Sequence, residues 1–253
     1  MDKKFIIGNW KMNGNLASSE KLLAQLKAAR VPANCELVVC VPHVYLMACA
    51  QQLRSSAIGV GAQDVAAATS GAYTGDVAAT MLVDAGSRYV LVGHSERRIG
   101  HGETDVLLSR KLASALATGL RPILCVGETH TEYALGATMA VLRQQLRAVL
   151  QPLASEEIGR VMIAYEPVWA IGTGLSAAPT VVARVHAYIR QELLALAPAT
   201  GARMPVLYGG SMKPENAAEL LAIDGVDGAL IGGASLDAGQ FLAIAAAAPG
   251  QPG

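Results

Sequence analysis

The sequence predicts an α/β protein whose strands run parallel and close into an eight-stranded (β/α)8 barrel. Three features lead to this. Short apolar runs recur eight times along 253 residues, helix-like stretches separate them, and chemically capable residues stand directly after most of the runs. The runs are Phe5 to Gly8, Leu37 to Val41, Ile58 to Ala62, Tyr89 to Val92, Ile123 to Val126, Val161 to Tyr165, Val206 to Tyr208 and Ala229 to Ile231. Each is short and rich in β-formers, which suits a strand.

The intervening stretches carry apolar residues at helical spacing. Leu16, Leu23 and Leu26 with Leu22 beside them mark one such face, and Val181, Val185, Ile189 and Leu193 another. Strand alternating with helix implies parallel pairing, and near-continuous apolar strands imply a sheet covered on both faces, either doubly wound or closed. Eight repeats favour closure. No linker rich in Pro, Gly or Ser divides the chain, so residues 1–253 are expected to form one domain, with 247–253 fraying after the last helix.

A hydrophobic fraction of 52% is enough for a sizeable core, yet no stretch approaches the roughly 20 uninterrupted apolar residues of a spanning helix. Lys plus Arg and Asp plus Glu balance at 20 each, so no whole-chain field exists to hold nucleic acid or a membrane surface, and any anion site must be local. The apolar part of the N-terminal segment, Phe5 to Ile7, is too short for a secretory signal, and a cytoplasmic location is expected. Cys35, Cys40, Cys49 and Cys125 match no zinc or thioredoxin-type spacing and read as reduced core residues.

In parallel α/β folds the active groups lie at the C-terminal ends of strands. Asn9 and Lys11 follow the first run, Gln63 and Asp64 the third, His94 to Glu96 the fourth, Glu166 the sixth, Gly209 to Ser211 the seventh, and Gly232 with Gly233 the eighth. A strand ending at Tyr165 is expected to expose Glu166, and Pro167 biases that residue away from the helical region, seating the carboxylate on a defined backbone. Pro167, Val168, Trp169, Ala170, Ile171, Gly172, Thr173 and Gly174 then form an apolar, glycine-jointed segment suited to a lid.

Glu166 and His94 make a proton-transfer pair: a carboxylate to take a proton from carbon, an imidazole to polarise the adjacent carbonyl. His94 precedes Ser95, Glu96 and Arg97 as the N-cap of a short helix, whose positive end is expected to disfavour protonation and leave the ring neutral. The glycine pairs can bring bare N–H groups to a phosphate, with Ser211 adding a hydroxyl. Lys11 draws a dianion and stabilises negative charge on oxygen. Glu96 either orients Lys11 or makes an internal ion pair. Taken singly, each feature has an ordinary structural reading: a solvated Glu, a capping His, a surface Lys, a turn glycine. Their shared position after strands favours chemistry. The Gly172 to Ala177 match to a dinucleotide fingerprint is weak, because Pro167 to Ile171 separate it from its strand, and neither GHSER nor GGSMK has nucleophile-elbow spacing.

From GNWKMN (Gly8 to Asn13) through GAYTGD (Gly71 to Asp76), VGHSERR (Val92 to Arg98), AYEPVWAIGTG (Ala164 to Gly174) and YGGSMKPEN (Tyr208 to Asn216) to GALIGGASL (Gly228 to Leu236), nearly the whole chain resembles the triosephosphate isomerase family. The resemblance implies a TIM barrel that interconverts dihydroxyacetone phosphate and D-glyceraldehyde 3-phosphate through a cis-enediolate, in glycolysis and gluconeogenesis, with no cofactor and no metal. It implies Glu166 as base, His94 as the acid at the oxygens, and Lys11 with Asn9 at the oxyanion, Glu96 supporting Lys11 and His94. Phosphate is then held by Gly172, Ser211, Gly232 and Gly233, and the closed lid is latched by Tyr208 and Ser211. Cys125 matches a strand-five thiol kept for packing. The resemblance further implies a homodimer in which Gln63 to Asp76 protrudes and Thr74 enters the partner's site. Two departures stand out: Asp76 where Glu is more usual, touching the dimer loop, and Leu175 with Ser176 where Lys-Thr is common, touching lid closure.

Two alternatives stay open on these residues. One is another phosphosugar isomerase on the same fold, although a small sealed site favours three carbons. The other is a catalytically inactive barrel used as a binding or adhesion protein, against which the joint presence of Lys11, His94 and Glu166 argues.

Overall fold

A computed structural model describes residues 3–171 and 176–249. Eight strands close into a barrel in sequence order: β1 (Lys4–Asn9), β2 (Cys35–Val41), β3 (Gly59–Ala62), β4 (Tyr89–Val92), β5 (Arg121–Val126), β6 (Met162–Tyr165), β7 (Val206–Tyr208) and β8 (Gly228–Ile231). Every neighbouring pair is parallel, and β1 pairs with β8 to shut the ring. All eight expected strands are present, with ends moved by a residue or two. Because β1 and β8 bond to each other, no sheet edge is left for another chain to extend.

Strand side chains alternate between two cores, as the two-residue period requires. Phe5, Ile7, Val38, Cys40, Leu91, Ile123, Cys125, Met162, Ala164, Leu207 and Leu230 pack together inside the barrel. Ile6, Leu37, Val39, Val90, Val92, Leu124, Ile163 and Val206 point outward against the helices. The inner layers fill the lumen, so a ligand meets a floor at the mouth rather than a pore.

The helices cover the outer layer with the faces expected from the sequence, with two shifts. In the helix Leu16–Ala28, Leu22, Leu23 and Leu26 are buried, but Leu16 stands in the first turn and is exposed. In Pro179–Leu196 the buried stripe runs Val182, Val185, Ile189 and Leu193, so Val182 takes the place expected for Val181. Past the last helix, Ala238–Ala246, Ala248 is still buried and the Asn34 carboxamide donates to the carbonyls of Ala248 and Pro249. The rest of the tail expected to fray, 250–253, lies outside the described residues. All four cysteines are free and buried. Among the described residues no helix is long and apolar enough to cross a membrane.

His186 shows what this packing demands of a titratable group. The ring is fully buried, Nδ1 lies 3.0 Å from the Gly225 carbonyl, and Nε2 has no hydrogen-bond partner among the described residues. Burial pushes its imidazole down to about 4. A folded pKa below the unfolded value of 6.5 means that stability is fully present above 6.5 and is lost as pH falls toward 4. Between pH 7 and pH 4 the protein should therefore lose on the order of 3 kcal/mol more stability than His186→Gln, which cannot protonate. Urea unfolding of both proteins at half-unit pH steps measures this; parallel curves would show that His186 is not the titrating group.

Candidate active site

At the C-terminal mouth of the barrel a cavity of about 340 Å³ is lined by residues from the ends of β1, β4, β6, β7 and β8. Asn9, Lys11, His94, Glu166, Ser211, Gly232 and Gly233, expected separately from the sequence, share its wall. Gly209 and Gly210 join them, as does Ile171 from the lid segment.

Glu166 follows β6 directly and its amide donates to the Val126 carbonyl at 2.8 Å, extending the sheet register by one residue. Gly127, after β5, allows this seat: a Cβ there would lie 1.7 Å from the Glu166 carbonyl oxygen. The expectation of an exposed carboxylate at the strand end is overturned. The structure buries it, with 2% of the residue exposed. Oε1 lies 2.9 Å from His94 Nε2, and Oε2 accepts the Ser95 amide at 2.9 Å. Burial pushes the carboxyl up, but His94, the Ser95 N–H and Lys11 outweigh it and hold it below the usual carboxylate range.

His94 is the N-cap of the helix Ser95–Gly100, as expected, and its Nδ1 accepts the Glu96 amide at 3.2 Å. That bond leaves the ring proton on Nε2, facing Glu166. The expectation that the helix end would govern the ring is overturned while the two side chains touch. Burial does press His94 toward neutrality, but the Glu166 carboxylate in contact raises it above its ordinary value.

Lys11 adopts φ 53°, the one left-handed non-glycine backbone among the described residues. Such a conformation costs roughly 1–3 kcal/mol and persists only where neighbours enforce it. Asn9 Oδ1 accepts the Lys11 amide at 3.0 Å, and the Gln63 carboxamide donates to the Lys11 carbonyl at 2.9 Å and the Cys40 carbonyl at 3.0 Å. Lys11 Nζ is 2.6 Å from Glu96 Oε1, so Glu96 makes the internal ion pair, one of its two expected roles, and its amide separately donates to His94 Nδ1. Glu96 itself does not line the cavity.

The segment expected to serve as a lid opens on Pro167. Pro167 precedes a 3-10 turn, Val168–Ala170, in which Ala170 is buried. The Trp169 indole donates to Glu128 Oε1 at 2.9 Å and stacks on Tyr133 with centroids 4.3 Å apart. Gly172, Thr173, Gly174 and Leu175 lie outside the described residues. Beyond them, the Ala177 amide donates to the buried Tyr208 hydroxyl at 3.3 Å. Ser211 is positioned through its carbonyl, which accepts from Asn216. Thr74 is exposed and does not reach this chain's own cavity, and Cys125 is fully buried with its thiol pushed up by burial and by Glu166. Sequence reasoning missed Glu128, which no motif marks, and noted Gln63 only as following a strand. Among the described residues no group of three or more His, Cys, Asp and Glu side chains is arranged to hold a metal ion.

The triosephosphate isomerase family model matches residues 4–248. The chain belongs to that family. The triosephosphate isomerase of Herminiimonas arsenicoxydans is 49% identical over 248 residues, covering 98% of this chain and all of the relative. That of Bordetella pertussis is 52% identical over 244 residues, covering 96% and 97%. A crystal structure of triosephosphate isomerase from Bartonella henselae superposes with a TM-score of 0.88 at 40% identity, covering 97% of this chain and 98% of the other.

The Gln63 contacts make a prediction within this family. Gln63→Leu leaves the Lys11 carbonyl without its donor, while the Cys40 carbonyl keeps the Trp10 N–H at 3.1 Å. Since an unsatisfied acceptor costs about 1–3 kcal/mol, kcat/KM should fall by about tenfold or more as Lys11 relaxes. Steady-state kinetics read beside thermal unfolding test it; unchanged kinetics would remove Gln63 from the support of Lys11.

Proposed function

We propose that the chain is a triosephosphate isomerase that interconverts dihydroxyacetone phosphate and D-glyceraldehyde 3-phosphate. The observation that carries this reading is the buried Glu166–His94 pair, Oε1 to Nε2 at 2.9 Å, in the same cavity as Lys11 and the glycine pairs after β7 and β8.

The phosphate dianion is held by backbone N–H groups around Ser211, Gly232 and Gly233, with Gly172 of the lid closing over it. The substrate carbonyl then faces His94 Nε2, and Glu166 exchanges its present partners, Ser95 N–H and His94, for the C1–H bond. The carboxylate takes the C1 proton, the C–H electron pair becomes the C=C bond of an enediolate, and negative charge moves to oxygen, where Lys11 and Asn9 stabilise it. Once substrate separates Glu166 from the ring, the larger influence that raises His94 is withdrawn, and only the weaker one of the Glu96 carboxylate remains. Burial and the acceptor bond at Nδ1 then favour a neutral imidazole that donates from Nε2, a tuning for which this family is the usual example. His94 gives its Nε2 proton to the C2 oxygen and takes the C1 hydroxyl proton in return, and Glu166 then delivers the carbon proton to C2, leaving the C1 aldehyde of the aldose.

An enediolate phosphate eliminates its phosphate in water. Pro167 to Gly174 therefore serve as a lid, latched through Tyr208 and Ser211, an arrangement again best known from this family. A cytoplasmic, glycolytic and gluconeogenic setting fits this activity. A single domain over 1–253 accords with the closed barrel.

A homodimer completes the reading. Thr74 in the exposed loop from Gln63 to Asp76 reaches the partner's site beside Asn9 and Lys11, and the exposed Met12 and Tyr73 beside these positions are covered. Sedimentation equilibrium at micromolar protein should give twice the chain mass of 26.2 kDa; a monomer with full activity would overturn the shared-site role of Thr74.

A coupled assay with dihydroxyacetone phosphate beside longer phosphosugars tests the activity, and turnover confined to the triose is expected. Glu166→Asp, which retracts the carboxylate by one methylene, should lower kcat by about a hundredfold or more with a small change in KM. Wild-type turnover in that variant would exclude Glu166 as the base.

A further inference from the structure

Two lysines line the cavity at the barrel mouth, Lys11 and Lys213, and only the first has a role in the reaction above. They differ in their charge environment. Lys11 Nζ is 2.6 Å from the Glu96 carboxylate, so much of its field is offset before a substrate arrives. Lys213 is exposed at the rim and joins no ion pair among the described residues. The carboxylate that lines the cavity, Glu166, is itself tied to His94.

The backbone under Lys213 is fixed. Its residue is extended, φ −134° and ψ 164°, immediately before Pro214 opens the helix Pro214–Leu221. Asn216 clamps the segment from both sides: its Oδ1 accepts the Lys213 amide at 2.8 Å and its Nδ2 donates to the Ser211 carbonyl at 3.2 Å. Lys213 thus stands two residues from Ser211, which lines the same cavity, on a backbone held in place by Asn216. A point charge on the rim of a concave, low-dielectric site acts over a Debye length, about 10 Å at 0.1 M salt, and speeds the encounter with an opposite charge without touching the reacting atoms.

We propose that Lys213 is a specificity-determining residue for phosphorylated substrates, its uncompensated rim ammonium drawing the phosphate dianion into the cavity. This rests on the isomerase reading of the same site. The lysine moves no proton and its contribution is confined to capture, so it appears in kcat/KM, carries a salt dependence, and vanishes for a substrate without phosphate.

The test compares Lys213→Met, Lys213→Glu and Lys213→Arg with the wild-type enzyme on D-glyceraldehyde 3-phosphate and on D-glyceraldehyde, from low to high ionic strength. Lys213→Met should lower kcat/KM for the phosphorylated triose by about three- to tenfold at low salt, with kcat nearly unchanged, and the deficit should shrink as salt rises. Lys213→Glu should lose more, Lys213→Arg should recover most of the loss, and D-glyceraldehyde turnover should not change. An equal loss on both substrates, a loss indifferent to salt, or no loss would each overturn the proposal while leaving the isomerase reading intact. A wild-type protein inactive on the triose phosphate would overturn both.

Discussion

The site depends on keeping one carboxylate charged in a place that disfavours charge. Glu166 is almost wholly removed from water, and a lone ion there would take up a proton instead. Three groups prevent it: the His94 ring at 2.9 Å, the Ser95 N–H at 2.9 Å, and the more distant Lys11 ammonium. Two of the three come from the turn after β4, so the carboxylate is conditioned by a different strand from the one that carries it. Bringing those strand ends together is what the closed ring accomplishes.

The same logic extends around the mouth. Asn9 and Gln63 hold Lys11 in a left-handed backbone that a residue with a Cβ rarely adopts, and Glu96 receives its ammonium. Glu128 does not line the cavity but accepts from Tyr165 at the end of β6 and from Trp169 in the turn that follows Pro167. A strand and its following loop are thereby fastened to one carboxylate, raised by burial despite both donors. The chemistry-bearing side chains are few; most of the polar contacts around them serve to aim them.

Much of this arrangement is legible in the order of residues alone. Strand positions follow from apolar runs whose length and composition suit a covered parallel strand, and the residues just after those runs must meet at one end of the barrel. That argument places Asn9, Lys11, His94, Glu166, Ser211 and the glycines at Gly232 and Gly233 on one wall. It fails where the answer lies in a side chain's direction or partner. The seat of Glu166 depends on Gly127, the residue just past the neighbouring strand. The protonation balance of His94 depends on a contact to a residue far along the chain, which local helix reasoning cannot weigh. Gln63 and Glu128 bond to backbone and ring groups whose proximity no spacing encodes. Leu16 fails for a simpler reason: it is the first residue of its helix and stays exposed, although Ser19 in the same turn is buried.

The pairing of β1 with β8 also bears on how the chain is made. The first strand ends at Asn9 and its second partner begins at Gly228, so on a ribosome the N-terminal strand waits with one side unpaired for nearly the whole of translation. Until the last strand emerges, nascent chains present two open borders able to recruit other molecules. Cleavage or premature termination shortly before Gly228 would therefore be expected to yield aggregating fragments rather than a weakened enzyme.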